Sequence, residues 1–449
     1  MNAVLLSVIV MLALAVSRVH VVLALFLAAL IGGLASGIGL DATMVAFQDG
    51  LAGGAKIALS YALLGAFAMS VAHSGLPQLL ADWFINKIEN NDLDAAKKAK
   101  LVAKWGMLGG ILAMAIMSQN LIPVHIAFIP LLIPPLLIVM SKLQIDRRAV
   151  ACVITFGLVT TYMYIPMGFG RVFLYDILYA NIEKSGLDVS NVPVMGAMGI
   201  PALGMLVGLL IAVFVTYRKP RTYLVTEVTD SKAPKEIHKY RIVVAVAAII
   251  ACVLLQTILT LSESAADPLL IGSLTGLVIF VASGAVKWKD ADAVFSGGMR
   301  MMAMIGLIMI TAQGFAAVMI ATDQIENLVT SSTAMFAGSK AIAAFVMLAV
   351  GLLVTMGIGS SFSTLPIISA IYVPLCISMG FSPAATVAII GTAGALGDAG
   401  SPASDSTLGP TSGLNADNQH DHIRDTVIPT FIHFNIPLLL AGWGAALVL

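Results

Sequence analysis

The chain is predicted to be an all-α polytopic membrane protein, with about ten spanning helices and two re-entrant hairpins in two inverted repeats. Three observations carry that expectation. Of 449 residues, 59% are apolar and 11% are charged, with a mean hydropathy of +0.98; soluble domains carry about 25% charged residues. Apolar runs of about 20 residues, the length that crosses a bilayer, recur from end to end. Lysine and arginine crowd some loops and avoid others, which is the asymmetry that orients spanning helices.

The first run, 2–17, could be read as a signal peptide, but it lacks a basic leading region, and Arg18 follows it instead of preceding it. A second run begins almost at once, so the first is expected to span. Further spans are expected at 21–40, 56–76, 148–178, 195–217, 241–261, 267–286, 299–321, 384–407 and 428–448. Two of these, 148–178 and 384–407, are long or interrupted and are expected to be broken helices. The stretches 105–140 and 340–379 are too long for one span and too short for two with a loop. Each is interrupted near its middle, by Ser118-Gln119-Asn120 before Pro123 and by Gly357 to Thr364 before Pro366. They are expected to be hairpins whose tips stop inside the bilayer. The segment 82–104 reads as a surface helix.

Positive charge tests this layout. Lys87, Lys97, Lys98, Lys100 and Lys104 precede the first hairpin, and Lys142, Arg147 and Arg148 follow it. The central loop from Arg218 to Arg241 is also basic, whereas 41–55, 179–194, 261–267 and 321–339 are poor in Lys and Arg. All of this agrees if both hairpins re-enter, the basic loops are cytoplasmic and both termini lie outside a bacterial inner membrane.

The basic loop also divides the chain into a first repeat, 1–220, a linker, 221–240, and a second repeat, 241–449. Phe47, Gly50, Ala55, Ile57, Leu59, Phe67 and Ala68 recur in register as Phe295, Gly298, Ala303, Ile305, Leu307, Phe315 and Ala316. Pro130-Leu131 answers Pro374-Leu375, and Pro166 answers Pro402. An odd number of spans per half requires the second half to be inverted. Paired hairpins and paired broken helices in inverted repeats belong to alternating access around a midplane site.

The segment Gly394–Ser406 holds two carboxylates, three serines, three glycines and a proline. Charge at bilayer depth is costly, and helix breakers there free backbone groups that lipid cannot satisfy. Asp398 and Asp405 are therefore the first candidates for a Na+ site. Ser401, Ser404 and Ser406 are candidates to add oxygens, with helix capping as the alternative role. Ser118, Gln119 and Asn120 need partners at a hairpin tip, as do Gly359, Ser360, Ser361, Ser363 and Thr364 at the other. Thr160 and Thr161 lie in the first broken helix, which carries no acid. Arg171 is expected to reach the outer surface, or to meet a substrate carboxylate. His73, His125 and His433 read as buried structural histidines, and His420 and His422 as solvated ones. Cys152, Cys252 and Cys376 lack metal-ligand spacing and read as small apolar residues.

Gly397-Asp398 through Ser401-Pro402 and Ser404-Asp405, followed by Asp421-His422-Ile423-Arg424 and Pro429, resembles the NhaC-like sodium/proton antiporter family. The chain departs from the second motif where Asp425-Thr426 follows Arg424. The resemblance implies membership of the wider ion transporter superfamily, with an elevator-like movement of a hairpin-bearing transport domain against a scaffold. It also places Asp398, Ser401, Ser404 and Asp405 in the ion region. Compact relatives of this length include proteins proposed as amino-acid or histidine permeases.

The first functional expectation is a secondary transporter that couples Na+ or H+ to a small organic solute, an amino acid being the class favoured. The alternative is Na+/H+ antiport with no organic cargo. No enzymatic constellation of metal ligands or nucleophile and base stands out. No cofactor is expected beyond the coupling ion. The lipid bilayer is the expected partner, nucleic acid is not, and a homodimer is left open.

Overall fold

The computed structural model describes residues 2–17, 19–76, 79, 97–120, 125–224, 238–262, 266–325, 327, 338–358, 361–402 and 404–449. Among them the regular elements are helices and there is no strand. Three helices, at Val194–Thr216, Lys239–Leu259 and His422–Val448, are long and apolar enough to cross a membrane by length and composition.

Helices α1 (Ala3–Val16) and α2 (Val21–Ser36) match the first two expected spans. Helix α3 (Gly39–His73) starts well before the expected residue 56. Its first turns carry Asp41 and Asp49, which lower hydropathy without opposing helix formation. The same correction applies later in the chain, at the helix that begins at Trp288 where 299 was expected.

The first hairpin consists of α4 (Lys97–Asn120) and α5 (His125–Lys142). Its first arm is one continuous helix from Lys97, so the described end of the expected surface helix at 82–104 belongs to the hairpin. The rest of that segment lies outside the described residues. Helix α6 (Arg147–Tyr162) is capped by Asp146, whose carboxylate accepts from Arg148 N. It breaks at 163–168 and resumes as α7 (169–184), which contains π-helical turns at Val172–Tyr179. Helix α8 (194–216) closes the first half.

The second half repeats the order. Helices α9 (Lys239–Leu261), α10 (Pro268–Ala282) and α11 (Trp288–Ala321) lead to a hairpin of α12 (Lys340–Ile358) and α13 (Ser361–Ser378). Its tip residues Gly359 and Ser360 lie outside the described residues, as does the Ser363 side chain. Helix α14 (Pro383–Ala395) starts on a Ser382 cap with proline in its first turn. After a break at 396–404 comes α15 (Asp405–Leu414), seven residues beyond the expected end of this segment. Helix α16 (422–448) starts six residues earlier than expected and contains two π-helical stretches, His422–Val427 and Phe431–Asn435. His422 and Asp425 therefore sit on a helix instead of in a polar loop.

Helices α3 and α11 pack antiparallel along their length. A Cβ on Gly50 would lie 2.6 Å from the Gln313 carbonyl oxygen, and one on Gly298 would lie 2.2 Å from that of Gly65. Small residues let the two backbones touch, as helix pairs in membranes often do. Gly50 and Gly298 are positions matched in the sequence comparison of the two halves, and each lies against the other's helix. The larger core lies under the hairpins and broken helices, and a smaller cluster around Phe67, Cys252 and Phe280 joins α3, α9 and α10. All three cysteines are buried thiols.

Candidate cation site

A helix that breaks leaves carbonyls without partners at one end and amides without partners at the other. In the first half the hairpin tip answers the carbonyls. Asn120 Nδ2 lies 3.1–3.2 Å from the carbonyl oxygens of Thr161, Ile165 and Met167. Gly168 takes φ +56°, and a Cβ there would lie 2.3 Å from the Asn120 carbonyl oxygen, so the tip and the break fit only around glycine. Three acceptors in this region are buried and have no partner among the described residues: Gln119 Oε1, Asn120 Oδ1 and Thr160 Oγ1. Ser118 and Thr161 are spent locally, donating to the carbonyls of Ala115 and Gly157.

The second break is built around Gly397, at φ +90°. Its hypothetical Cβ would lie 2.9 Å from Met356 N and 3.0 Å from the Leu352 carbonyl oxygen, so the chain turns against the second hairpin's first arm. Gly397 N donates to Asn435 Oδ1 at 3.0 Å, and Ser401 Oγ donates to the Met356 carbonyl at 3.2 Å. This turn presents Asp398, which is 6% exposed.

Three hydroxyls donate to the Asp398 carboxylate. Tyr162, at the end of α6, reaches Oδ2 at 2.7 Å and Ser406 reaches it at 3.0 Å, while Ser404 donates to Oδ1. Ser361, at the start of α13, lies 2.7 Å from the Tyr162 hydroxyl. The site thus joins the first broken helix, the second broken helix and the second hairpin. None of the ion pairs among the described residues involves Asp398. Phe362 packs on the Tyr162 ring with centroids 5.3 Å apart and on Phe173 at 5.6 Å, walling the pocket with aromatic surface.

Ser404 takes the capping role and also bonds the acid. Its oxygen caps α15 by accepting from Ser406 N at 3.0 Å while its hydroxyl donates to Asp398. Asp405 stands apart: it is the first residue of α15 and is exposed. Thr364 is buried in the second hairpin. Tyr162 reads from the sequence as part of the first broken helix but not as a site residue, and Asn435 was not singled out. Tyr162 was visible as a polar group at the end of an apolar run without acids. Asn435 is an isolated amide in an apolar helix, and intramembrane polar residues of that kind are the signal that could have found it.

A second buried carboxylate lies beyond the other end of α15. Arg147 donates to both oxygens of Asp417 at 2.6 Å and to the Leu414 carbonyl at 3.1 Å, with the paired side chains 0% and 1% exposed. Burial pushes the Asp417 carboxyl up, but the hydrogen bonds and charge of Arg147 outweigh it and hold the group below the usual carboxylate range. Tyr223 stacks on the Arg147 guanidinium at 4.2 Å, and Arg221 pairs with Asp425 at 2.7 Å. His420 belongs to this cluster and is 2% exposed, which corrects its expected solvation. Burial pushes its imidazole down to about 4; Asp425 opposes the shift, and the charges of Arg147 and Arg221 assist it.

The profile of the Na+/H+ antiporter family matches residues 153–443, and that of a second Na+-H+ antiporter family matches residues 2–88. Over 453 residues the chain is 53% identical to an uncharacterised membrane protein of Vibrio parahaemolyticus, with all of both chains covered. It is 49% identical to a Bacillus subtilis protein provisionally named an amino acid transporter, YuiF, again with full coverage of both. Among solved structures, the fold resembles the YdaH transporter of Alcanivorax borkumensis, with TM-score 0.54 and 13% identity over 88% of this chain and 86% of that one. It also resembles Neisseria gonorrhoeae MtrF, described as one of a class of antimetabolite efflux pumps, with TM-score 0.58 and 14% identity over 92% and 85% of the two chains.

Proposed function

We propose that this chain, which belongs to the Na+/H+ antiporter family, is a secondary transporter in which Asp398 binds Na+ and H+ in turn. One observation carries the reading: a buried carboxylate that accepts from hydroxyls of both broken helices, with Ser361 of the second hairpin on the Tyr162 hydroxyl and no fixed cation beside it among the described residues. Burying an unpaired charge is costly, so a mobile cation is the natural partner. A hydroxyl can donate to a lone carboxylate or turn its oxygen to a metal ion. A proton neutralises the carboxylate, and Na+ would use its oxygens. The two occupancies exclude each other, which is the basis of exchange. The head-to-tail packing of α3 and α11 supports alternating access between two repeats, with the broken helices and hairpins as the moving part. The distribution of Lys and Arg supports a cytoplasmic linker and external termini, and thiol labelling of a cysteine placed in 225–237 tests it: labelling of intact cells from outside reverses the orientation.

The test of the main reading is Na+-driven proton movement in proteoliposomes. Adding Na+ outside should release protons from the lumen, and Asp398→Asn should abolish the signal. Proton flux that is indifferent to Na+ in the wild-type protein removes exchange.

A second reading adds an organic cargo, an amino acid. The provisional name of the Bacillus subtilis relative favours it, as do the three unpartnered acceptors at Gln119, Asn120 and Thr160, which would suit an ammonium group. Cation-dependent uptake of one member of a radiolabelled amino-acid panel would establish it, and uptake of none would leave exchange alone.

A further inference from the structure

The break at 396–404 leaves backbone groups without helical partners, and two of them are held by one distant helix. Gly397 N, at the near end, donates to Asn435 Oδ1 at 3.0 Å. The Pro402 carbonyl, at the far end, lies 2.9 Å from His422 Nε2. Both side chains come from α16, and each sits in one of its two π-helical stretches. A π-helical turn inserts an extra residue and re-aims the side chains around it, and such turns gather at functional sites.

The chemistry of each contact is directional. A carbonyl only accepts, so His422 Nε2 must carry a hydrogen. His422 Nδ1 lies 2.8 Å from Thr411 Oγ1, and that hydroxyl also has the Thr407 carbonyl at 2.9 Å and Thr426 Oγ1 at 3.0 Å within reach. Thr411 can donate to a neutral ring, or accept from a charged one and donate elsewhere. The Nε2 contact to the break survives in both states. At the other end, the Gly397 amide commits Asn435 to one orientation, because a flipped amide would set two donors against each other. Asn435 Nδ2 is then a buried donor without a partner among the described residues, 2.7 Å from where a Cβ on Gly400 would stand. A buried unmet donor is costly, so the bond from Gly397 N to its oxygen is what the Asn435 amide supplies in this position.

We infer that Asn435 and His422 are positioning residues that clamp the two ends of the second break from α16 and so fix the turn that presents Asp398. The inference rests on the cation reading of Asp398 for its transport consequence but not for its structural one.

The experiment uses the purified full chain. In Na+-free buffer, hydrogen exchange at amides 396–401 should be about tenfold faster in Asn435→Ala and in His422→Ala, the scale of one lost buried hydrogen bond. His422→Gln, which keeps a donor, should stay within about threefold of wild type, on the same scale. In proteoliposomes the alanine variants should need about tenfold more Na+ for half-maximal transport at a nearly unchanged maximal rate. If the alanine variants do not fold, Thr411→Val, which removes the Nδ1 partner of His422 along with that hydroxyl's contacts to Thr407 and Thr426 and leaves Asn435 untouched, should speed exchange near residue 401 and not near 397. Unchanged exchange in folded alanine variants, or in folded Thr411→Val where those fail, overturns the clamp. Faster exchange in a protein that shows no response to Na+ upholds the clamp and overturns the cation reading.

Discussion

Asp398 and Asp417 flank the same short helix, α15, and both are buried carboxylates, yet their partners differ in kind. Asp417 meets a guanidinium that donates to both of its oxygens. Asp398 meets only hydroxyls. A fixed bidentate cation satisfies a carboxylate permanently and leaves no vacancy for an ion, so Asp417 is structural. Hydroxyls satisfy a carboxylate provisionally, since each can also present its oxygen to a cation. The lesson is that burial of an acid does not by itself point to a transport site; burial without a fixed counter-charge is the observation on which the cation proposal rests.

The largest effect should come from breaking the structural pair. Arg147→Met strands Asp417 in the interior and should cost about 3–5 kcal/mol, read as a lowered unfolding midpoint in detergent. Arg147→Met with Asp417→Leu should recover most of that loss, and a double variant as unstable as the single would break the comparison. Next comes the site itself. Asp398→Asn should keep the fold and reduce cation-dependent transport roughly a hundredfold, the scale of about 3 kcal/mol attached to a hydrogen-bonded charge. Substantial residual transport would move the cation elsewhere.

Gly397→Ala should fall between the two regions in character. It forces a side chain to φ +90° against Met356 N at 2.9 Å and should cost about 1–2 kcal/mol in stability, with loss of transport beyond what abundance explains. The cluster around Asp417 also predicts a dependence on pH. His420 is held neutral, with its imidazole pushed down to about 4. The unfolded chain therefore binds this proton before the native one does, so stability is intact above about pH 6.5 and falls as pH drops toward 4. His420→Gln should flatten that decline, measured as unfolding midpoint against pH, while leaving the Na+ dependence in place. The smallest effect belongs to Asp405. It is exposed and should tolerate Asn with less than about a threefold change in half-maximal Na+, well under 1 kcal/mol. A change as large as that of Asp398→Asn would show that the two acids act together.

Much of this molecule was readable from residue types in order. Two apolar stretches of intermediate length, each interrupted by polar residues, announced helix pairs, and Gly394–Ser406 announced a broken helix with a buried acid. These are local facts: hydropathy, helix breakers and charge act within a few residues of where they occur. The lengths of α3 and α11 were missed because their first turns are charged, which changes hydropathy but not helix geometry. Asp398 and Asp405 looked alike in sequence, seven residues apart on the same broken segment. Only the turn at Gly397 and the start of α15 sent one inward and left the other exposed. Tyr162, Asn435, His422 and Arg147 likewise gained their meaning from partners 236, 38, 20 and 270 residues away. The sequence by itself determined the kind of fold and the segment that carries the acid, because lipid imposes those constraints residue by residue. Which carboxylate is caged, which is locked and which helix holds the break were decided by tertiary structure, because a hydrogen bond acts over about 3 Å in space and takes no account of distance along the chain.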